Sequence, residues 1–220
     1  MCAMSNPFFS VIVPAHNAEN HIRHLLDSIV YQTFQDYELI VVCDNCTDNT
    51  KLIACQYLRP NTGDTVWCVK FGRDGLARDN GIRHARGEWI LFADDDDWFT
   101  SDQCFDSLEN FIYVHDTTVD LIAFGYECRT KGYIKPTMEN VFKPRIDHVW
   151  SSAWRRERIG SARFGDAVFC SDTYFLRDMK SRVRNIAIYD APLYYYNFRR
   201  PGSQTDLFCQ GKLRQSPVAE

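Results

Sequence analysis

Residues 89–97 read Trp89-Ile90-Leu91-Phe92-Ala93-Asp94-Asp95-Asp96-Asp97, an apolar run that ends in four consecutive aspartates. A short, continuous apolar run is typical of a strand that is buried on both faces of a sheet. Four carboxylates at one point repel one another unless a divalent metal, an arginine cluster or water lies between them. Oxygen ligands favour Mg2+ or Mn2+, which bind one or two carboxylates together with substrate phosphates. The structural alternative is a solvated turn in which an aspartate such as Asp97 caps the next helix.

Strands and helices alternate on both sides of this run. Further candidate strands, separated by segments in which apolar residues have helical spacing, are residues 8–13, 39–42, 66–71, 121–124 and 185–189. This alternation predicts an α/β fold with a largely parallel sheet. Asn17 is the predicted N-cap of the first helix, and residues 129–150, which have weak periodicity, predict a loop.

Polar residues directly follow three of these strands, at residues 15–17, 44–45 and 94–97. Ligands of an open α/β sheet bind beyond the carboxyl ends of its strands, where helices begin. The coincidence of three polar clusters with three strand ends therefore predicts one ligand site, which is assembled from distant parts of the chain.

The composition of the chain is that of an ordinary globular protein, with 220 residues of which 45% are hydrophobic and 25% charged. It has no apolar segment near the roughly 20 residues of a membrane helix and no signal peptide, so we expect a cytoplasmic protein. Residues 143–214 carry 14 Lys and Arg against seven Asp and Glu, whereas the remainder carries 11 against 22. This basic part suits peripheral contact with an anionic membrane at its inner face, or is simply a solvated surface. No nucleic-acid-binding motif is present.

The nine cysteines are scattered without paired spacing, as expected of reduced thiols. The single Cys-x-x-Cys pair, Cys43 and Cys46, lacks the second ligand pair of a zinc site. Redox chemistry at this pair is the alternative to two incidental thiols. His21 and His24 have no partnering acid or cysteine nearby in the sequence, and we assign them no role.

Four motifs in order resemble the family 2 glycosyltransferases, which have the GT-A fold. They comprise residues 11–19, 40–48, 75–82 and 85–98, and the last of them carries the DxD motif of that family. The resemblance resumes at residues 150–157, 164–175 and 186–205. It implies a GT-A type, Rossmann-like, mostly parallel sheet flanked by helices, with a C-terminal acceptor-side extension. Residues 1–128 would form the donor-binding half and residues 129–220 the acceptor-side half of one domain.

The resemblance also implies a reaction. An inverting enzyme would move a sugar from a UDP-sugar to a hydroxyl of a growing glycan or lipid-linked saccharide, by metal-assisted single displacement. Mn2+ or Mg2+ would bind Asp96 and Asp94, and Asp44 would accept the imide N–H of uracil. The remaining nucleotide-sugar contacts would come from Pro14, Ala15, His16, Asn17, Arg78, Asp94, Asp95, Arg199 and Arg200. In the family's Asp-Gly turn, Asn45 replaces glycine, and Asn tolerates the positive φ required there.

The base that deprotonates the acceptor is implied to be Asp172, at the start of a helix. Ser171 stands where the family pattern has Glu, Asp166 is the alternative base, and a helix cap is the structural alternative for Asp172. Trp150 and Trp154 match the acceptor side, where aromatic faces suit sugar C–H surfaces, although two tryptophans are also ordinary core residues.

Two other functions stay open. A non-catalytic nucleotide- or sugar-binding relative is supported only by serine at position 171. A sugar-1-phosphate nucleotidyltransferase would need a Gly-rich, basic loop for a triphosphate after the first strand. Residues 14–19 contain no glycine, lysine or arginine, which argues against that chemistry.

Overall fold

The computed structural model describes residues 6–115, 118–142, 148–167 and 170–212. Within these ranges the strands are β1 (Phe9–Ala15), β2 (Tyr37–Asp44), β3 (Thr65–Val69), β4 (Trp89–Phe92), β5 (Trp98–Phe99), β6 (Leu121–Cys128), β7 (Gly132–Ile134), β8 (Ser152–Arg155) and β9 (Ile186–Tyr196). The helices are α1 (Ile22–Val30), α2 (Thr50–Cys55), α3 (Asp74–His84), α4 (Cys104–His115), α5 (Arg156–Ile159), α6 (Ser171–Lys180) and α7 (Gln204–Cys209). A short 3-10 helix, Val149–Ser151, precedes β8.

The strands form one sheet in the order β3-β2-β1-β4-β8-β6-β9-β5, with β7 paired to β6. The first four strands in this order pair in parallel. β8 lies antiparallel between β4 and β6, β9 is parallel to β6, and β5 is antiparallel to β9. The α/β class is therefore confirmed, but the sheet is parallel throughout its first four strands and mixed beyond them. The division into a donor half and an acceptor-side half stays a proposal.

The parallel strands are buried on both faces, as their continuous apolar sequences predict. Every residue of β1, β2 and β4 is buried, and α1 buries one face made of Ile22, Leu25, Leu26 and Ile29. A Cβ atom at Gly87 would lie 2.5 Å from the backbone nitrogen of Ser10. Glycine at this position therefore lets the segment before β4 approach β1. Because β1 pairs in parallel with both β2 and β4, the carboxyl ends of these three strands lie side by side.

The predicted cap at Asn17 is wrong. α1 begins at Ile22, five residues later, and Asn17 itself takes a positive φ of 49° in the turn after β1. Its side-chain oxygen instead accepts a hydrogen bond from the backbone N–H of Thr47, at 2.8 Å. Asn17 therefore joins the loop after β1 to the loop after β2.

The sequence patterns missed three short strands, β5, β7 and β8. β5 directly follows the aspartates, so α4 does not begin until Cys104 and Asp97 cannot be its cap. Asp97 is instead buried and accepts a hydrogen bond from the backbone N–H of Asn197, at 2.8 Å.

β7 lies within the predicted loop 129–150, of which residues 143–147 fall outside the described ranges. The late strand is longer than predicted, since β9 runs without a break to Tyr196.

In the described part of the chain, no helix has the length and hydropathy needed to cross a bilayer. The eight cysteines that lie in this part form no disulfide bond among themselves, in agreement with the reduced thiols predicted from their scattered spacing. Cys43 is buried, and the Cys46 thiol faces the carbonyl oxygen of Ala15 at 3.4 Å.

Candidate active site

A cleft of about 570 Å3 opens at the carboxyl ends of β1, β2 and β4. Twelve of the fourteen residues assigned to the site from the sequence line it: Pro14, Ala15, His16, Asp44, Arg78, Asp94, Asp95, Asp96, Trp150, Asp172, Arg199 and Arg200. The two that do not are Asn17, whose side chain is engaged with Thr47, and Trp154. The three polar clusters predicted to meet at the strand ends therefore do meet there.

The acidic turn after β4 is partly neutralised by arginines from two other parts of the chain. Asp94 Oδ1 accepts a hydrogen bond from Arg78 Nη2 at 2.6 Å, and Asp96 Oδ2 accepts one from Arg200 Nε at 2.8 Å. Such charge-assisted pairs are among the stronger hydrogen bonds in proteins. An arginine cluster was one of the three ways in which the sequence could offset these carboxylates. Arg78 and Arg200 do so here for the two aspartates of the DxD motif.

Asp95 has a different role in the turn. Its Oδ2 accepts the backbone N–H of His16 at 3.1 Å, and its Oδ1 lies 3.2 Å from His21 Nε2. Asp95 therefore ties the acidic turn to the loop after β1. His21 does not line the cleft but supports it through Asp95, a contact that the sequence did not reveal because the two residues lie 74 positions apart.

The surroundings of the acidic turn disfavour the ionised form of its carboxylates. Burial raises the pKa of Asp94, and Arg78 only partly opposes this effect. Burial and then the charge of Asp95 raise the pKa of Asp96, against the influence of Arg200. Burial and the neighbouring carboxylates raise the pKa of Asp97 well above its ordinary value. A positive ion at this point would favour the ionised carboxylates.

The donor atoms suit a hard divalent ion. Asp96 Oδ1 and Asp94 Oδ2 belong to carboxylates that line the cleft, and neither oxygen has a hydrogen-bond partner among the described residues. No three acidic, histidine or cysteine side chains in the described ranges are close enough to hold an ion by themselves. Mg2+ and Mn2+ typically bind one or two carboxylates and complete their shells with substrate phosphates and water. Asp96 and Asp94 fit that kind of site.

Asp44, at the end of β2, is held by backbone hydrogen bonds from the segment before α3. Its Oδ1 accepts from the N–H groups of Phe71 and Gly72 at 2.6 and 3.0 Å, and its Oδ2 accepts from Arg73 at 2.8 Å. The neighbouring Asn45 takes a φ of 54°, which confirms that asparagine can replace glycine in this turn. The carboxylate of Asp44 is therefore fixed at the wall of the cleft.

Arg78 lies at the centre of the site and is buried. Its Nη1 is 2.6 Å from Asp74 Oδ2 and 3.9 Å from Asp172 Oδ1, while its Nη2 bonds Asp94. Burial alone would lower the pKa of Arg78, but these three carboxylates raise it, so the guanidinium stays charged. Asp74 was not assigned to the site from the sequence, although its spacing of four residues from Arg78 on a helix is a signal for such a pair.

Asp172 is the second residue of α6, which confirms a helix opening at this point. Its Oδ2 accepts a long hydrogen bond of 3.4 Å from the backbone N–H of Val149. The alternative base, Asp166, is exposed and does not line the cleft. Asp172 thus faces the same cleft as the acidic turn, with Arg78 between them.

Aromatic rings form the wall beside Asp172. Trp150 stacks on His148, with centroids 4.6 Å apart and planes at 7°, and on Tyr194 at 4.8 Å and 22°. Trp154 is wholly buried and donates its indole N–H to the Val149 carbonyl oxygen at 2.9 Å. It therefore has no face to offer an acceptor and is a core residue. Trp150 borders the cleft but is itself only 2% exposed, so the half-buried His148 is the more accessible ring of this wall.

Tyr194 supports the acidic turn from β9, since the backbone N–H of Asp94 donates to its hydroxyl oxygen at 2.9 Å. We expect Tyr194→Phe to lower the free energy of unfolding by about 1–3 kcal/mol, because this N–H loses its acceptor in a largely buried place. Urea denaturation measures the change. Tyr195→Phe is the matched control, because the Tyr195 hydroxyl has no hydrogen-bond partner among the described residues and its ring stacks on Trp98. Equal losses in the two variants would contradict the prediction.

Comparison with known proteins places the chain in a family. The family model described as Glycosyl transferase family 2 matches residues 10–182. The putative glycosyltransferase EpsH of Bacillus subtilis is 30% identical over 88% of this chain and 61% of its own length. The poly(ribitol-phosphate) beta-N-acetylglucosaminyltransferase TarS of Staphylococcus aureus is 36% identical over 88% of this chain and 36% of its own.

Solved structures agree on the fold. The structure of S. aureus TarS 1–349 in complex with UDP-GlcNAc superposes with a TM-score of 0.77 at 23% identity, over 90% of this chain and 60% of that one. The mannosyltransferase PcManGT of Pyrobaculum calidifontis, in complex with GDP-Man and Mn2+, gives 0.67 at 20% identity, over 90% and 59%. The chain thus spans about three fifths of the length of EpsH and of these two structures. It belongs to the family 2 glycosyltransferases and has their GT-A fold.

Proposed function

We propose that this chain is the donor-binding and catalytic part of an inverting, metal-dependent glycosyltransferase that uses a UDP-sugar. The proposal rests on one observation: the acidic turn and Asp172 line the same cleft, with the buried Arg78 between them. This arrangement separates a diphosphate-binding side from a proton-accepting side. The UDP-GlcNAc bound to TarS, which shares the fold, supports a UDP-sugar as the donor.

Asp44 would recognise the nucleobase of the donor by a hydrogen bond. A carboxylate has about four acceptor positions, and Asp44 uses three of them on backbone N–H groups. The remaining position suits a ring N–H, which uracil and guanine present. Cytosine has an acceptor nitrogen at the equivalent position of its ring and would be repelled. The site should therefore discriminate most strongly against CDP.

The diphosphate would lie between the acidic turn and the two arginines that follow β9. Arg199 and Arg200 line the cleft, and Arg200 already reaches Asp96. A guanidinium suits phosphate oxygens because its planar fork makes paired hydrogen bonds. A divalent ion held by Asp96 and Asp94 would supply further positive charge for the leaving group.

Asp172 would act as the general base. Its carboxylate takes the proton of the acceptor hydroxyl while that oxygen attacks the anomeric carbon of the donor. The bond from the anomeric carbon to the phosphate oxygen breaks as the new bond forms, and its electron pair leaves with UDP. One displacement from the opposite side inverts the configuration at the anomeric carbon.

The acceptor would be a hydroxyl of a saccharide or of a lipid-linked saccharide. The half-buried ring of His148, which lines the cleft and stacks on Trp150, supports a sugar ring there, because aromatic surfaces suit C–H groups. TarS, whose name specifies a poly(ribitol-phosphate) acceptor, supports an acceptor that carries negative charge. We further propose that the basic residues of segment 143–214 allow peripheral contact with an anionic membrane surface, at the cytoplasmic side.

Isothermal titration calorimetry with UDP, GDP and CDP, each with Mn2+ and with EDTA, tests the proposal. We expect UDP with Mn2+ to bind and CDP to bind at least about tenfold more weakly, a difference of about 1.4 kcal/mol. Tighter binding of GDP would overturn the choice of a UDP-sugar. Absence of binding to all three would overturn the glycosyltransferase function. Metal-dependent UDP binding without hydrolysis or transfer of any UDP-sugar would favour the non-catalytic relative.

A further inference from the structure

Three carboxylates from three elements share the buried guanidinium of Arg78, and one of them has no part in the function proposed above. Asp94 follows β4 and Asp172 opens α6, whereas Asp74 is the first residue of α3. Asp74 Oδ2 lies 2.6 Å from Arg78 Nη1, which is as close as Asp94 Oδ1 lies to Nη2. Asp172 Oδ1, at 3.9 Å from Nη1, is beyond hydrogen-bond distance.

The same oxygen of Asp74 reaches the helix that carries the base. Ser171 donates its hydroxyl hydrogen to Asp74 Oδ2 at 2.9 Å, and Ser171 is the neighbour of Asp172 in α6. The other oxygen, Asp74 Oδ1, is buried and has no hydrogen-bond partner among the described residues. Asp74 therefore joins α3 to the start of α6 through one oxygen, which also holds Arg78.

Close packing fixes Asp74 in this position. A Cβ atom at the next residue, Gly75, would lie 2.6 Å from the Gly165 carbonyl oxygen and 2.9 Å from Ser171 Cβ. The first turn of α3 thus lies against the start of α6 with no room for a side chain between them. This contact fixes the backbone at the start of α3, and the Asp74 carboxylate is held by its hydrogen bonds with Arg78 and Ser171.

We propose that Asp74 is a positioning residue of the catalytic centre, an inference that rests on the proposed function. By holding Nη1, it keeps the guanidinium oriented toward Asp94 and prevents it from closing on Asp172. The carboxylate of Asp172 then stays available for the proton of the acceptor. Ser171 Oγ lies 3.5 Å from Arg78 Nη1 but carries no charge, so the negative charge closest to this nitrogen comes from Asp74 in α3.

Transfer kinetics of Asp74→Ala test the inference. We expect kcat to fall about ten- to a hundredfold, as a small misplacement of a catalytic group does, while the Kd for UDP with Mn2+ changes less than about threefold. Ser171→Glu in the Asp74→Ala background returns a carboxylate to Arg78 and should recover at least about tenfold in kcat. Ser171→Gln in the same background is the matched control, since it has nearly the same size and no charge. Equal kcat values for these two double variants would overturn the inference.

A crystal structure of Asp74→Ala gives a readout that needs no turnover. We expect Arg78 Nη1 to move to within about 3 Å of Asp172 Oδ1, and an unchanged separation would overturn the inference. Asp74→Asn, which keeps the shape of the side chain, serves for both measurements if the alanine variant does not fold. A wild-type protein that binds UDP but transfers nothing would instead count against the proposed function, and the structural comparison would still decide the role of Asp74.

Discussion

Asp96→Ala is expected to abolish the dependence of UDP binding on Mn2+ and to lower kcat/KM for transfer by about a thousandfold or more. A divalent ion bound at a leaving diphosphate contributes several kcal/mol, and each 1.36 kcal/mol corresponds to a factor of ten in rate. Removal of Asp96 also frees Arg200, whose Nε lies 2.8 Å from its carboxylate. Binding of UDP in EDTA should therefore be retained or strengthened in the variant. Calorimetry with Mn2+ and with EDTA measures both effects.

The control for this variant is Asp102→Ala, which removes an exposed acidic residue close in sequence to the acidic turn. Its UDP affinity in Mn2+ should equal that of the wild type. If Asp96→Ala still shows tighter UDP binding in Mn2+ than in EDTA, Asp96 is not the ligand. The arginine contacts would then account for the charge balance of the turn.

Asp172→Asn is expected to lower kcat by about 10²- to 10⁴-fold, the range typical of a lost general base. Asparagine keeps the shape of the side chain but cannot take the proton of the acceptor hydroxyl. The Kd for UDP with Mn2+ should stay within about threefold of the wild type, because Asp44 and Asp96 are intact. Single-turnover transfer, measured together with calorimetry, separates the two quantities.

Asp178→Asn removes a charge from the same helix, α6, at a position that does not line the cleft. It should leave both kcat and Kd unchanged. An Asp172→Asn variant with more than a tenth of the wild-type kcat would show that another group accepts the proton. His148, which lines the same wall of the cleft, would be the first residue to replace in that case.

The elements that could be predicted from the sequence are those whose signal is local. The buried strands β1, β2 and β4 are continuous apolar runs, and the polar residues after them mark the cleft. β8 has only four residues, and it is defined by pairing with β4 and β6, which lie far from it in sequence. A strand of that kind leaves no periodic pattern to read.

The same reason explains which site residues could be found. Asp94 and Asp96 stand out within one motif, whereas His21 and Tyr194 take their roles from partners 74 and 100 positions away. Asp74 pairs locally with Arg78, but its contact with Ser171 spans 97 positions. Trp154 illustrates a wrong inclusion. Its place in a family-like segment predicts a position at the cleft, but the residue lies in the core. Residue type predicts chemistry at these positions, but only the packing of the sheet decides which side chains face the ligand.

The position of β8 has a consequence for building hybrid enzymes. β8 pairs with the edge of β4, a wholly apolar strand. Without β8, the unpaired backbone groups of β4 would form an exposed apolar edge, which is a typical site of aggregation. A chimera that joins residues 1–128 of this chain to the second half of a relative must therefore import a β8 and a β9 that fit β4 and β5. Exchange of acceptor specificity is better attempted within the loops around the cleft than by swapping halves.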